Sequence, residues 1–333
     1  MRPLKKRSCT WRWGVLKKFG KELGVFVLLV VLCTVVDVLN HRFLGIQNLQ
    51  NMGRLVGMYG IFGIGAAMVI ITSGIDLTVG SMLALLGILL SIAMMEKHWP
   101  SPLAALAILV GGGALGAIHG FLITKVKLQP FIVTLCGLLL YRGLSQFVAK
   151  DETKGFGDST ALGWLYTASS GDILGVPVPF LILIVVAIVF GVVLHYSVFG
   201  RYLYAVGRNE EAARYSGIDT KKVIAGAYVI AGFLTALAAI LIAVDTGSIS
   251  PSSHGNSYEL YGIAAAVLGG CSLKGGEGSI IGVLLGTALL QVLQNLVTLL
   301  GIPSSLNFAV LGAVILIGVT IDQLVHQRSG SKR

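Results

Sequence analysis

The sequence predicts an all-α polytopic membrane protein with about ten transmembrane helices. Three observations carry that reading. Charged residues make up only 12% of the 333-residue chain, against about 25% in a soluble domain, and 55% are hydrophobic. Mean hydropathy is correspondingly high, at +0.85. Apolar runs of 17 or more residues recur along the whole length, and a helix of that size crosses the hydrocarbon layer. Finally, Lys and Arg fall on alternate connections. Nineteen lie in the set that includes the N-terminus and five in the other set, a strong positive-inside bias.

The elements follow in order. Residues 1–22 form a basic tail with eight Lys/Arg and one acid, expected in the cytoplasm. The apolar run 23–39 follows without a small-residue cleavage site, so it reads as an uncleaved first span rather than a signal peptide. Further spans are expected at 54–72, 80–95, 103–123, 131–149, 179–196, 223–244, 259–271, 280–300 and 306–324. The eighth is short enough to be a half-helix. Together residues 23–326 form a single transmembrane domain, with a polar connection at 199–222, and residues 327–333 form a second cytoplasmic tail. Forty-four glycines would mean slack in water. Between membrane helices they mean close approach and local unwinding.

Composition also excludes functions. The net charge of +10 is accounted for by topology, so it implies no nucleic-acid partner. No GxxxxGK[ST] stretch occurs, so the chain lacks the usual ATP-binding loop. The glycine-rich run Gly275-Gly276-Glu277-Gly278 lacks both the Lys-Ser/Thr and a preceding strand. No catalytic triad is visible, and an enzyme is not expected. The four cysteines (Cys9, Cys33, Cys136, Cys271) show neither metal-site nor disulfide spacing, and no metal or directly bound cofactor is expected. The six histidines sit mostly at span ends.

The connection 199–218 is a charged island between two apolar segments. Asn209 can cap a short helix over 209–215 whose first turn holds Glu210 and Glu211, followed by the helix formers Ala212 and Ala213. Gly217 stands where a helix C′ glycine would end it. Two readings are open: a folded knob that engages a partner, or an ordinary basic loop.

Polar residues within spans are costly and tend to face a cavity or each other. Asp76, in a Gly-flanked break, either lines the path or caps the following helix. Arg142 is expected to pair with an acid on a neighbouring helix rather than to snorkel. Gln291, Gln294 and Asn295 share one helix face, where they can hydrogen-bond the hydroxyls of a passing solute or bind another helix. There is also an internal echo. Gly74-Ile75-Asp76-Leu77-Thr78 with Val79-Gly80-Ser81 resembles Gly270-Cys271-Ser272-Leu273-Lys274 with Glu277-Gly278-Ser279. It suggests a parallel repeat of five spans.

Three stretches together resemble a known family. Gly207-Arg208-Asn209-Glu210-Glu211-Ala212-Ala213 with Ser216-Gly217-Ile218 is similar to the coupling loop of ABC-type sugar permeases of the ribose, xylose and allose type. Gly74 to Ser81 and Leu268 to Gly278 match the same family, and the resemblance covers Leu55 to Asp322. It implies a bacterial inner-membrane permease subunit of a binding-protein-dependent monosaccharide importer, with both termini cytoplasmic. The cytoplasmic coupling helix would dock on a separate ABC ATPase subunit through Gly207, Arg208, Asn209, Glu210, Glu211, Ala212, Ala213 and Gly217. Ala212 and Ala213 are both expected to point into the partner's groove. The partners implied are that ATPase, which uses the ATP, a periplasmic sugar-binding protein, a second permease copy or paralogue, and membrane lipid. Asp76, Gln291, Gln294 and Asn295 are candidates for the translocation path. On residues alone, an ion- or proton-coupled secondary transporter and a passive channel remain as rivals. Asp37, Asp76, Asp245, Glu259 and Asp322, all near span ends, are few carboxylates for the former.

Overall fold

The computed structural model describes residues 20–157 and 162–301, and beyond them residues 303, 306, 309, 312, 313, 316 and 320. The helices are α1 (Gly20–Leu39), α2 (Ile46–Ile71), α3 (Val79–Ser91), α4 (Ser101–Thr124), α5 (Pro130–Ala149), α6 (Trp164–Ser170), α7 (Val178–Tyr196), α8 (Val198–Arg208), α9 (Glu210–Tyr215), α10 (Thr220–Asp245), α11 (Tyr258–Leu268) and α12 (Ile280–Leu299). A π-helical turn, Ile92–Glu96, extends α3. Four two-residue strands pair as β1 (Lys154–Gly155) with β4 (Ser248–Ile249) and β2 (Asp172–Ile173) with β3 (Val176–Pro177).

Among the described residues, eight helices are long and apolar enough to cross a membrane: α1, α2, α3 with its π turn, α4, α5, α7, α10 and α12. The expected fold class is therefore observed. The short eighth segment is α11, whose 11 residues rise about 16 Å, half of a 30 Å hydrocarbon layer. The expected span 306–324 and both tails lie largely outside the described residues. Two boundaries differ from expectation. Helix α2 begins at Ile46 rather than 54, because its polar first two turns pack at the end of the bundle instead of forming a loop. Much of the 199–222 connection is helical, in two pieces.

The core is built on α2 and α10, whose apolar windows are mostly buried, while α1, α4, α5 and α7 keep most of theirs exposed. That inversion suits a membrane solvent, where apolar surface needs no cover. Close packing comes from small residues. Gly112, Gly116 and Gly120 recur every four residues on α4, and α10 lies against that stripe. A Cβ at Gly116 would run into the Tyr228 carbonyl, and one at Gly112 into Gly232.

Successive helices alternate direction. One end of the bundle therefore collects residues 72–74, 125–129, 197–219 and 269–279. The opposite end carries the β pairs and α6. There Arg54 ties the layers together, reaching Asp245 at 3.6 Å, Asp172 at 3.7 Å and the Ser170 carbonyl at 3.0 Å.

Candidate coupling site and translocation path

Ser197 is extended backbone, and it separates α7 from α8. Its Oγ then caps α8 by accepting the Gly200 amide at 3.0 Å. Helix α8 buries Gly200, Leu203, Val206 and Gly207. Gly207 lies so close to the Ile71 carbonyl that no Cβ fits. Its own carbonyl accepts Ser73 Oγ at 3.1 Å, a hydroxyl that also reaches the Lys274 carbonyl at 2.8 Å. The Gly276 amide donates to the Ile71 carbonyl at 2.9 Å, and Tyr204 Oη donates to the Gly278 carbonyl at 2.7 Å. Gly275 and Gly276 have φ of +81° and +74°, a left-handed turn that only glycine takes readily. Thus the island, the 71–74 break and the 272–278 break are knitted into one unit.

The second half of the island is the expected short helix. Asn209 Oδ1 accepts the Ala212 amide at 2.9 Å. Glu210 accepts Thr220 Oγ1 at 3.1 Å, which ties α9 to the start of α10. Gly217, at φ +85°, ends the helix as its amide bonds the Arg214 carbonyl and the Ile218 amide bonds that of Ala213. Asp219 caps α10, and hydrogen bonds from Lys222 hold its carboxyl below the usual range. One expectation is corrected here. Ala213 is buried in the chain's own core, because its position on a one-and-a-half-turn helix faces the bundle; only Ala212 of the pair is outward. The exposed face of the knob is Arg208, Glu211, Ala212, Arg214 and Tyr215.

The chain breaks twice more, deep inside. Residues 74–78 are non-helical, and their polar groups are met by side chains from two helices, α5 and α10, and by one another. The Ile75 carbonyl accepts Tyr228 Oη at 3.2 Å and Thr134 Oγ1 at 3.3 Å. Asp76 is buried and its Oδ1 accepts both the amide and the hydroxyl of Thr78, at 2.9 and 2.6 Å. Nearby, Tyr141 Oη lies 2.8 Å from His119 Nε2. The other break is 250–257, a run of turns before α11. Arg142 spans it, donating from Nη1 to the carbonyls of Pro251 and His254, both at 2.8 Å. Ser145 Oγ supports the Pro251 carbonyl at 3.2 Å. The two breaks touch, since Gly80 and Gly255 meet backbone to backbone. The first turns of α3 and α11 therefore abut; Glu259 lies in the first turn of α11, where a helix dipole favours negative charge, and Asp76 lies just ahead of α3.

The chain matches a family model described as "Branched-chain amino acid transport system / permease component" over residues 48–319. The chain belongs to this permease family. Among curated proteins it is 41% identical to the ribose import permease protein RbsC of Bacillus subtilis (strain 168), covering 93% of this chain and 94% of that one. It is 39% identical to the ribose import permease protein RbsC of Escherichia coli (strain K12), over 92% and 95% of the two chains. With the xylose transport system permease protein XylH of the same strain the identity is 31%, over 92% and 94%. No solved structure matches the chain significantly.

The remaining candidates on the permease can now be placed. Asp76 makes no cap bond to α3, whose N-cap is Thr78; its carboxylate instead fixes Thr78 in the turn just ahead of that helix. Asn295 and Asn48 exchange hydrogen bonds at 2.7 and 3.1 Å, so this amide clasps α12 to α2. Gln291 is buried and Gln294 half-buried on the same helix. Arg142 holds carbonyls rather than an acid; Glu259 acts on it only through charge. Its partners were not legible because carbonyls carry no sequence signature. The clue available was a lone Arg in a span, upstream of a Pro-Ser-Ser-His-Gly-Asn stretch that cannot be helical.

Proposed function

We propose that this permease is the membrane subunit of an ATP-driven, binding-protein-dependent importer of a monosaccharide, a ribose-like pentose or a hexose. The observation that carries the proposal is the hairpin of α8 and α9. It is capped at each end, bonded to both inner breaks, and presents a small outward face centred on Ala212. A mere connector between two spans would need neither the caps nor the bonds to Ser73 and Gly278. An ABC ATPase subunit seated on that face would move the hairpin as a rigid lever. The lever is bonded to the 71–74 and 272–278 breaks, and through them to the helices that flank the path. The charge bias places this end in the cytoplasm of a bacterial cell, with the 150–178 connection facing a periplasmic sugar-binding protein. Relatives that import ribose and xylose support the substrate class.

The test is reconstitution of the permease, in its dimer, with the ATPase and binding protein expressed beside it. Uptake of labelled D-ribose or another monosaccharide should require all three proteins and hydrolysable ATP. Uptake by the permease alone, driven by an ion gradient or down the sugar gradient, would overturn the reading in favour of a secondary carrier or a channel.

A further inference from the structure

We propose that Tyr59, Tyr258 and Tyr261, floored by Phe62, form the station that holds a neutral monosaccharide midway through the permease; this rests on the monosaccharide reading above. Tyr59 lies at the midpoint of α2, a 26-residue helix about 39 Å long. Tyr258 opens the half-helix α11 directly against it, with ring centroids 5.0 Å apart. Tyr261 lies one turn further, 5.8 Å from Tyr59 and 6.3 Å from Tyr258. Phe62 is fully buried beneath them, edge-on to Tyr59 at 5.3 Å and stacked on Tyr258 at 5.8 Å. The cluster is therefore a rigid, interlocked set of rings at mid-membrane depth.

Packing alone does not account for it. The three tyrosines are only half-buried, so their outer edges open on a surface. Among the described residues, the Tyr59 hydroxyl is bonded to that of Tyr258, and the Tyr261 hydroxyl has no hydrogen-bond partner. A hydroxyl at this depth is costly without a partner, and lipid offers none. The same surface continues into the broken segment, where Ser253 and Asn256 are also exposed. Polar groups and irregular backbone at this depth line a passage rather than the lipid face.

The chemistry favours an uncharged polyol. Ring faces carry negative charge density that attracts the C–H faces of a sugar, while the phenol hydroxyls and Asn256 exchange hydrogen bonds with its O–H groups. The adjacent charges are already committed. Arg142 is spent on two carbonyls, and the Glu259 carboxylate accepts the Gly80 amide. The ring hydroxyls are bonded to nothing beyond their own cluster, so an entering sugar displaces only a neutral partner.

The experiment uses the full transporter in proteoliposomes, with D-ribose, D-xylose and D-fructose as labelled probes. Tyr59→Leu and Tyr258→Leu should each lower uptake at least tenfold at wild-type amounts of complex. Tyr258→Phe, which keeps the ring, should lose less uptake but change the ratio among the three sugars at least threefold. Asn256→Cys in a cysteine-free background gives a readout independent of ring packing. An impermeant thiol reagent should label it, and the imported sugar should slow that labelling at least threefold. Leu variants that transport within twofold of wild type overturn the station, as does an Asn256→Cys that is unreactive or indifferent to the imported sugar. Failure of the wild-type complex to import any of the three sugars overturns the monosaccharide reading, and the station with it.

Discussion

Arg142 shows how one side chain stabilises an irregular stretch of membrane-embedded backbone. A guanidinium with fixed donor geometry serves two carbonyls at once, and an ammonium serves them poorly. Hydrogen bonds from a charged donor contribute about 1.5–3 kcal/mol each. Arg142→Leu leaves the His254 carbonyl unmet and the Pro251 carbonyl to Ser145 alone, and the expected order of thermal stability in detergent is Arg, then Lys, then Leu. Equal melting for Leu and Arg would show that the side chain merely snorkels. Asp76 is separable in the same way. Asp76→Asn keeps the oxygen that accepts the Thr78 amide, whereas Asp76→Leu removes it. A buried amide left unmet costs about 1–3 kcal/mol, so Leu should melt lower while Asn stays near wild type in both melting and uptake. A collapse of uptake in Asn at normal abundance would assign the charge a role in transport.

At the scale of the element, the two alanines of α9 divide the labour of the hairpin. Ala213 packs inward, and a larger side chain there strains the permease itself, at about 1–3 kcal/mol. Ala213→Trp should therefore lower the amount of folded protein. Ala212→Trp should leave that amount unchanged while weakening co-purification of the ATPase by some tenfold to a hundredfold, at about 1.4 kcal/mol per tenfold. Gly217→Val forces a β-branched residue to φ +85°, so it should misdirect the helix end and lose uptake and co-purification together. An Ala212→Trp complex that assembles and transports normally would show that the outward face carries no partner.

Across the whole molecule, opposite ends of the bundle should face opposite compartments. Leu174, fully exposed at the tip of the β2–β3 turn, lies at the end away from the hairpin. In a cysteine-free background, Leu174→Cys should react fast with an impermeant thiol reagent in cells with a permeable outer membrane. Glu211→Cys should react only after the inner membrane is opened. Equal rates at the two sites in unopened cells would reverse the orientation. The descending α2 and α11, each followed by a glycine-rich break and an ascending helix, also put the two echoing motifs side by side. The Ser73 to Lys274 and Gly276 to Ile71 bonds join them.

Much of this protein was legible in one dimension. Hydropathy, the Lys/Arg asymmetry, the Asn209 cap and the Gly217 stop are local terms, each complete within a window of a few residues, and each reads directly from composition and spacing. Helix α8 was missed although Phe199, Leu203 and Val206 give it a helical period, because charges and two glycines masked a short element. What only the tertiary structure decided is which polar groups meet. Asn295 meets Asn48 across 247 residues, Arg142 meets two backbone carbonyls, and three separate motifs converge where Gly207 allows backbones to touch. Such choices depend on how closely small-residue helix faces approach, a non-local quantity to which no single segment holds the answer.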